Sequence, residues 1–359
     1  MNKHHLINSF LILIITVTST VVFGASEKTA VPLFLFSGQS NMVGMGSSVS
    51  ALSGDQKSGF KDIKIYLESE GSGRGKWLDL EPGYGGNSTF GPELFFGKKL
   101  IEEMPDVKMA FIKDARSGTY LGQASQWLPP SSGGPGPYYK SMMDHIESAL
   151  KKFNDAYDTS EYTPKWAGFI WHQGEFDAMD GNLANKYEEN LTNLINDIRE
   201  MAEAEDLPAI IPMIDAQAIW SQHQKVRDAE VAVAAALENC DTMETKGLPT
   251  DGIHYKAAGM VTIGEVCAER WLAMDYTEDW WVPVPVVYRS KPSTIPATLF
   301  SFANGAFFDL SGRKVPAHTT SSVTNQQRRN TSVLMLIRNA ASNPGEGGGR
   351  RISKVLNLQ

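Results

Sequence analysis

Three separated stretches carry side chains suited to acyl-transfer chemistry. In FSGQSNMVGMG, Ser40 follows an apolar run that ends at Gly38, with Gln39 before it and Asn41 after it. A serine at such a strand-to-helix turn can project its hydroxyl into a crevice, and Gly38 permits the tight backbone this requires. Taken alone, the same serine is also a good helix cap. In PTDGIHYKAAGM, Asp251 and His254 stand three residues apart on a loop that opens a helical pattern. A serine hydroxyl is a poor nucleophile until an imidazole takes its proton, and a carboxylate fixes that imidazole's tautomer. The spacing lets Asp251 lie beneath the ring while Nε2 faces the serine. Singly, Asp251 reads as an N-cap and His254 as a surface histidine. With Ser40 they complete a nucleophile, a base and an orienting acid.

Acyl transfer also needs donors aimed at the developing oxyanion. The Gln173 amide in AGFIWHQGEFDA can supply one, a backbone N–H near Gly118 in KDARSGTYLG a second, and the N–H of Ser40 a third. Gly118 also reads as a plain turn glycine. Glu175 and Asp177 could form an acid pair, but hydrogen bonding to loops around the site is the preferred reading.

These segments need elements to position them. Short apolar runs at Val31–Phe36, Ile63–Leu67, Lys108–Ile112, Trp166–Trp171 and Ala209–Ile214 read as strands buried on both faces. Helical patterns lie among and beyond them at Tyr138–Phe153, Leu183–Ala204, Gln222–Leu237 and Tyr255–Met274, the first with Met142, Ile146, Leu150 and Phe153 on one stripe. Alternating strands and helices predict an α/β fold with a parallel sheet covered by helices. Functional residues should then cluster just after the strands.

The 359 residues are 42% hydrophobic and 21% charged, which excludes a disordered or collagen-like chain. A net charge of −8 argues against a nucleic-acid partner. The charge is uneven. Residues 298–359 hold eight Lys/Arg and two acids, a balance of +6, which leaves −14 for the remainder. Residues 1–24 have the basic start, apolar run and small-residue end of a cleavable secretory signal. Thr16, Thr18, Ser19 and Thr20 interrupt the apolar run, so a stable membrane anchor is not expected. Cys240 and Cys267 could pair or remain two thiols, and two cysteines exclude a four-thiolate zinc site. Residues 281–297 hold four prolines and read as a linker between a main domain over 30–280 and a small β-rich module over 298–359.

GQSNM, the SGT glycine segment, WHQGE and DGIH occur in this order in the SGNH hydrolases. They look most like the branch of sialate O-acetylesterases and of acetylxylan esterases in carbohydrate esterase family six. FGPELFFGKKL and the Trp127–Tyr138 stretch are similar to that branch as well, and the likeness covers roughly residues 31–275. The resemblance implies a three-layer α/β/α fold and deacetylation through an acetyl-serine, without metal or other cofactor. It makes Ser40 the nucleophile, His254 the base and Asp251 its orienting acid. Gly118 and Gln173 would complete the oxyanion hole, with Gln39, Asn41, Glu175 and Trp127 as supporting or substrate-contacting residues. Phe176 departs from the family, which commonly has a small or polar residue after WHQGE. The tail resembles the C-terminal sorting domains of type IX secretion, with NTSVLMLIRN in place of the usual Gly-x-Tyr strand. A secreted O-acetylesterase acting on acetylxylan or a similar glycan is thus expected. A sialate or general short-chain esterase is the alternative. A noncatalytic glycan binder using Trp77, Trp127, Trp220, Trp280 or Trp281 as platforms ranks below both.

Overall fold

Strands that must be covered on both faces need apolar side chains on both, and five stretches of this chain supply them. The computed structural model describes residues 28–67, 75–85, 88–274, 300–301, 307–308 and 314–315. Its main sheet has seven strands: β1 (Thr29–Gly38), β2 (Phe60–Leu67), β3 (Trp77–Leu80), β4 (Met109–Ala115), β5 (Tyr162–His172), β6 (Ala209–Pro212) and β7 (Cys240–Met243). They lie in the order β3-β2-β4-β1-β5-β6-β7. Six are mutually parallel, and the edge strand β3 runs antiparallel to β2.

Helices cover both faces. Against one pack α2 (Glu93–Glu103) and α6 (Ala257–Leu272), around Phe34, Phe36, Phe96 and Phe111, whose rings meet mostly edge to face. Against the other pack α3 (Pro137–Lys151), α4 (Gly181–Met201) and α5 (His223–Ala236), around Trp127, Trp171, Tyr187 and Leu191. The architecture is the expected α/β fold with a mostly parallel sheet. Each buried Phe or Leu contributes roughly 1.5–3 kcal/mol by leaving water, so the two aromatic cores fix the sheet on which the site loops depend.

Several details differ from the sequence reading. Leu150 was expected on the buried stripe of α3, but it is 37% exposed in the last turn of the helix, whereas Met142, Ile146 and Phe153 are buried. β3, α2 and β7 had no counterpart among the expected elements. β3 and β7 have four residues each, too few to display an alternation. Cys240 and Cys267 are both free thiols. The signal segment, the proline-rich linker and most of the β-rich module expected over 298–359 lie outside the described residues.

The chain divides into two units at Val286/Val287. Within the second, the short strands β8 (Phe300–Ser301), β9 (Phe307–Phe308) and β10 (Lys314–Val315) pair antiparallel in the order β10-β9-β8.

Candidate active site

Strands β4, β1 and β5 are neighbours at the middle of the sheet, and the segments that carry chemistry leave their C-terminal ends. That is where an open α/β sheet opens a crevice. β1 ends at Gly38, which pairs with Ala115 of β4 on one side and His172 of β5 on the other. A Cβ on Gly38 would lie 2.1 Å from the His172 carbonyl oxygen, and its φ is +148°, so only glycine lets the strands close at this point. The Gln39 N–H then donates to the His172 carbonyl at 3.0 Å, and the Arg116 N–H donates to the Gly38 carbonyl at 3.0 Å. These bonds lock the β1 exit to both neighbouring loops.

Ser40 starts the one-turn helix α1 (Ser40–Val43). Its hydroxyl has no hydrogen-bond partner among the described residues, and the residue is 5% exposed. The amide N–H groups of a helix's first turn have no intrahelical acceptor, which leaves the Ser40 N–H available. The far end of α1 is pinned from below. Lys113 Nζ donates to the Val43 carbonyl at 3.3 Å while ion-paired with Glu93 at 2.8 Å, and both side chains are buried.

Asn41 joins the three motifs. Its Nδ2 donates to Glu175 Oε1 at 2.6 Å and more weakly to the Ile253 carbonyl at 3.5 Å, and its Oδ1 accepts the Tyr255 N–H at 3.2 Å. Residues 253 and 255 flank His254, so the residue next to the candidate nucleophile holds the loop of the candidate base. Gly46 makes a second close approach: a Cβ there would stand 2.7 Å from His254 Cβ. The sequence reading named Asn41 only as a supporting or substrate-contacting residue and did not single out Gly46. The signal was present, for Gly46 in the GMG that follows GQSNMV, and for Asn41 only in its adjacency to Ser40.

The imidazole side is looser. His254 Nδ1 lies 3.9 Å from Asp251 Oδ2, beyond hydrogen-bond length. Asp251 Oδ1 instead accepts the backbone N–H groups of Ile253 at 2.9 Å and His254 at 2.8 Å. Those amide bonds, first that of His254, hold the Asp251 carboxyl below its ordinary pKa. Burial lowers the His254 pKa, opposed by the charge of Asp251. The carboxylate therefore shapes the loop by accepting its amides, and the expected Asp251–imidazole hydrogen bond is not closed.

The candidate oxyanion side is built differently from expectation at one residue. Gln173 is fully buried, and its Nε2 donates to the Thr119 carbonyl at 2.9 Å and to Asp177 Oδ2 at 2.7 Å. Both amide hydrogens are committed, so Gln173 does not offer a free donor; it fixes the loop that carries Gly118. Asp177 completes that brace by accepting from the Leu121 N–H at 2.8 Å and the Gly122 N–H at 2.9 Å. Gly118 has φ +67°, and its N–H has no partner among the described residues. The Ser40 and Gly118 amides are thus the donors left open.

Burial pushes the Glu175 carboxyl up to about 7, against the Asn41 hydrogen bond, and its Oε2 has no partner among the described residues. His172, beside Gln173, is pushed down to about 3 by burial and so stays neutral. Gln39 is buried. Trp127 was expected as a substrate contact or sugar platform. It is instead fully buried, stacks edge to face on Trp171, and donates from Nε1 to Thr119 Oγ1 at 2.8 Å. Trp220 is also buried, while Trp280 and Trp281 lie outside the described residues.

A parallel sheet with a serine, a histidine and two open amides at its carboxyl edge defines an α/β protein with a hydrolase-type site. Residues 30–273 match the family described as carbohydrate esterase, sialic acid-specific acetylesterase, and the chain belongs to it. A probable carbohydrate esterase of Arabidopsis thaliana is 30% identical over 106 residues, a stretch covering 29% of this chain and 39% of that relative's length. The crystal structure of a protein from the same plant superposes with a TM-score of 0.53 at 21% identity, covering 67% of this chain and 97% of that one, and so shares the fold. A carbohydrate acetylesterase from Xanthomonas citri gives a TM-score of 0.49 at 18% identity, over 77% of this chain and 62% of that one.

Proposed function

We propose that this esterase is a secreted carbohydrate O-acetylesterase that works through an acetyl-serine on Ser40. His254 takes the hydroxyl proton as Ser40 Oγ attacks the acetyl carbonyl. The amides of Ser40 and Gly118 hold the oxyanion of the tetrahedral intermediate. Collapse breaks the ester bond, and the sugar alkoxide leaves with the proton from His254. Water deprotonated by His254 then attacks the acetyl-serine, releasing acetate and restoring the hydroxyl. Asp251 holds the loop of His254 and stabilises the imidazolium from a distance.

One observation carries this reading: Asn41, the neighbour of Ser40, hydrogen-bonds on both sides of His254. Two segments more than 200 positions apart in sequence are thereby tied together, which supports Ser40 and His254 acting on one ester. The Gly-, Ser- and Gln-rich neighbourhood of the motifs favours a glycan such as acetylxylan over a lipid. The family description favours an O-acetylated sialic acid as the second reading. The basic, apolar and small-residue pattern of residues 1–24 supports export, and the basic tail supports a role for 298–359 in sorting. Ser40→Ala should reduce acetate release from acetylxylan and O-acetyl sialic acid, assayed side by side, by about 10⁴-fold or more. Activity within tenfold of the parent would remove Ser40 as the nucleophile.

A further inference from the structure

Two aromatic rings stand against the oxyanion loop. Phe176 and Tyr120 meet edge to face, their centroids 5.2 Å apart and their planes at 84°. A Cβ built on Gly118 would lie 3.4 Å from Phe176 Cζ, so this ring stands over the side-chain position of the glycine whose amide is open. Both residues are half-buried, whereas Glu175 and Asp177 on either side of Phe176 are buried.

The backbone under each ring is fixed. Phe176 sits between Glu175, tied to Asn41, and Asp177, tied to Leu121, Gly122 and Gln173. The Tyr120 N–H donates to Gln126 Oε1 at 2.7 Å, and its carbonyl accepts from the Trp127 N–H at 3.3 Å. The Tyr120 phenol has no hydrogen-bond partner among the described residues. A pair serving the core alone would be covered, as the pairs around Trp171 and Phe34 are, and would not leave a hydroxyl unpartnered.

We propose that Phe176 and Tyr120 form the wall on which the sugar ring of the substrate stacks, with the Tyr120 phenol bonding a sugar hydroxyl. The size of the surface decides which part of the ester it serves. An acetyl group presents one methyl, while the face of one six-membered ring, buttressed by the edge of the other, matches the C–H face of a pyranose. This inference rests on the acetyl-serine reading for the position of the ester. The decisive measurement is therefore binding, in a background that needs no catalysis.

Titration of an acetylated xylo-oligosaccharide and of O-acetyl sialic acid into Ser40→Ala, and into Ser40→Ala/Phe176→Ala, should show at least one glycan binding the double variant about tenfold more weakly. In the otherwise unchanged enzyme, Phe176→Ala should raise KM for that glycan about tenfold. Its loss on ethyl acetate, which has no ring to stack, should be at least about fivefold smaller. Phe176→Trp should restore glycan affinity. Equal losses on glycan and ethyl acetate would assign the pair a structural role and overturn the proposal. So would equal affinities in the two backgrounds, or failure of both glycans to bind Ser40→Ala. A gain for butyryl esters with glycan KM unchanged would make Phe176 an acyl-side barrier instead, and would also overturn it. Should Ser40→Ala retain activity, the nucleophile assignment fails while the titration still decides the wall.

Discussion

The two halves of the site are held by different means. On the serine side, Asn41, Glu175, Gln173 and Asp177 are buried, and their hydrogen bonds run between 2.6 and 2.9 Å from motif to motif, apart from the longer contacts of Asn41 to the histidine loop. On the histidine side, the Asp251 side chain is 49% exposed, Ile253 is 45% exposed, and the carboxylate stands 3.9 Å from the imidazole. Preorganised dipoles cost no rearrangement when charge develops on the substrate, so a rigid oxyanion loop is where burial helps most. A base that must receive and return a proton tolerates more freedom, provided its backbone is anchored. The difference teaches that this site keeps its precision in the loops after β4 and β5 and lends it to His254 through Asn41.

The largest effect expected from breaking the rigid half is at Asp177. Asp177→Ala would leave the Leu121 and Gly122 amides and the Gln173 side chain without their acceptor in a buried place. Orphaned buried donors of this kind should cost about 3–5 kcal/mol of stability. Urea unfolding of parent and variant measures it directly, and a loss under about 1 kcal/mol would show that the Gly118 loop stands without the brace.

Asn41→Ala tests the link between the halves. It removes the bonds to Glu175 Oε1, the Ile253 carbonyl and the Tyr255 N–H. Because it disturbs the placement of the base relative to the nucleophile, kcat should fall about 10²-fold, with KM changed far less. A variant with parental kcat would show that His254 is positioned by its own loop and by Gly46 alone.

How much of this was legible in the sequence depends on range. The five apolar runs announced the central strands because a strand buried on both faces cannot hide its composition. β3 and β7 escaped because four half-buried residues carry no period, and Leu150 misled because in the last turn of α3 its spacing still fits the stripe while its side chain is left partly in water. At the site, the residue types and their place after the strands were readable, since Ser40, Gly118 and Gln173 each follow a run of hydrophobic residues. What each polar atom bonds to was not readable. Gln173 was read as a donor to substrate, and nothing in WHQGE tells that its two hydrogens go to Thr119 and Asp177. Trp127 was read as a platform, and only its packing against Trp171 shows otherwise. Asn41 was named only as a supporting or substrate-contacting residue, and its bracing role was not readable, because its three partners lie 134 to 214 residues away.

The smallest effect is expected in the loose half, at Asp251, and it sharpens the comparison most. Asp251→Asn keeps an oxygen to accept the Ile253 and His254 amides while removing the charge. In sites where the orienting carboxylate is buried and bonded to the ring, that change costs about 10⁴-fold. Here the carboxylate is half-exposed and 3.9 Å away, so kcat/KM should fall only about tenfold. The pH profile gives the sign. In the proposed mechanism His254 acts as a base in its neutral form, and burial sets its pKa below the ordinary 6.5, so the acidic limb of kcat/KM should lie below that pH. The Asp251 charge raises that pKa, and its removal should move the limb further toward acid. A limb that moves toward neutral pH, or a loss near 10⁴-fold, would mean that the carboxylate closes onto the imidazole in the working enzyme and that the histidine half becomes as rigid as the serine half.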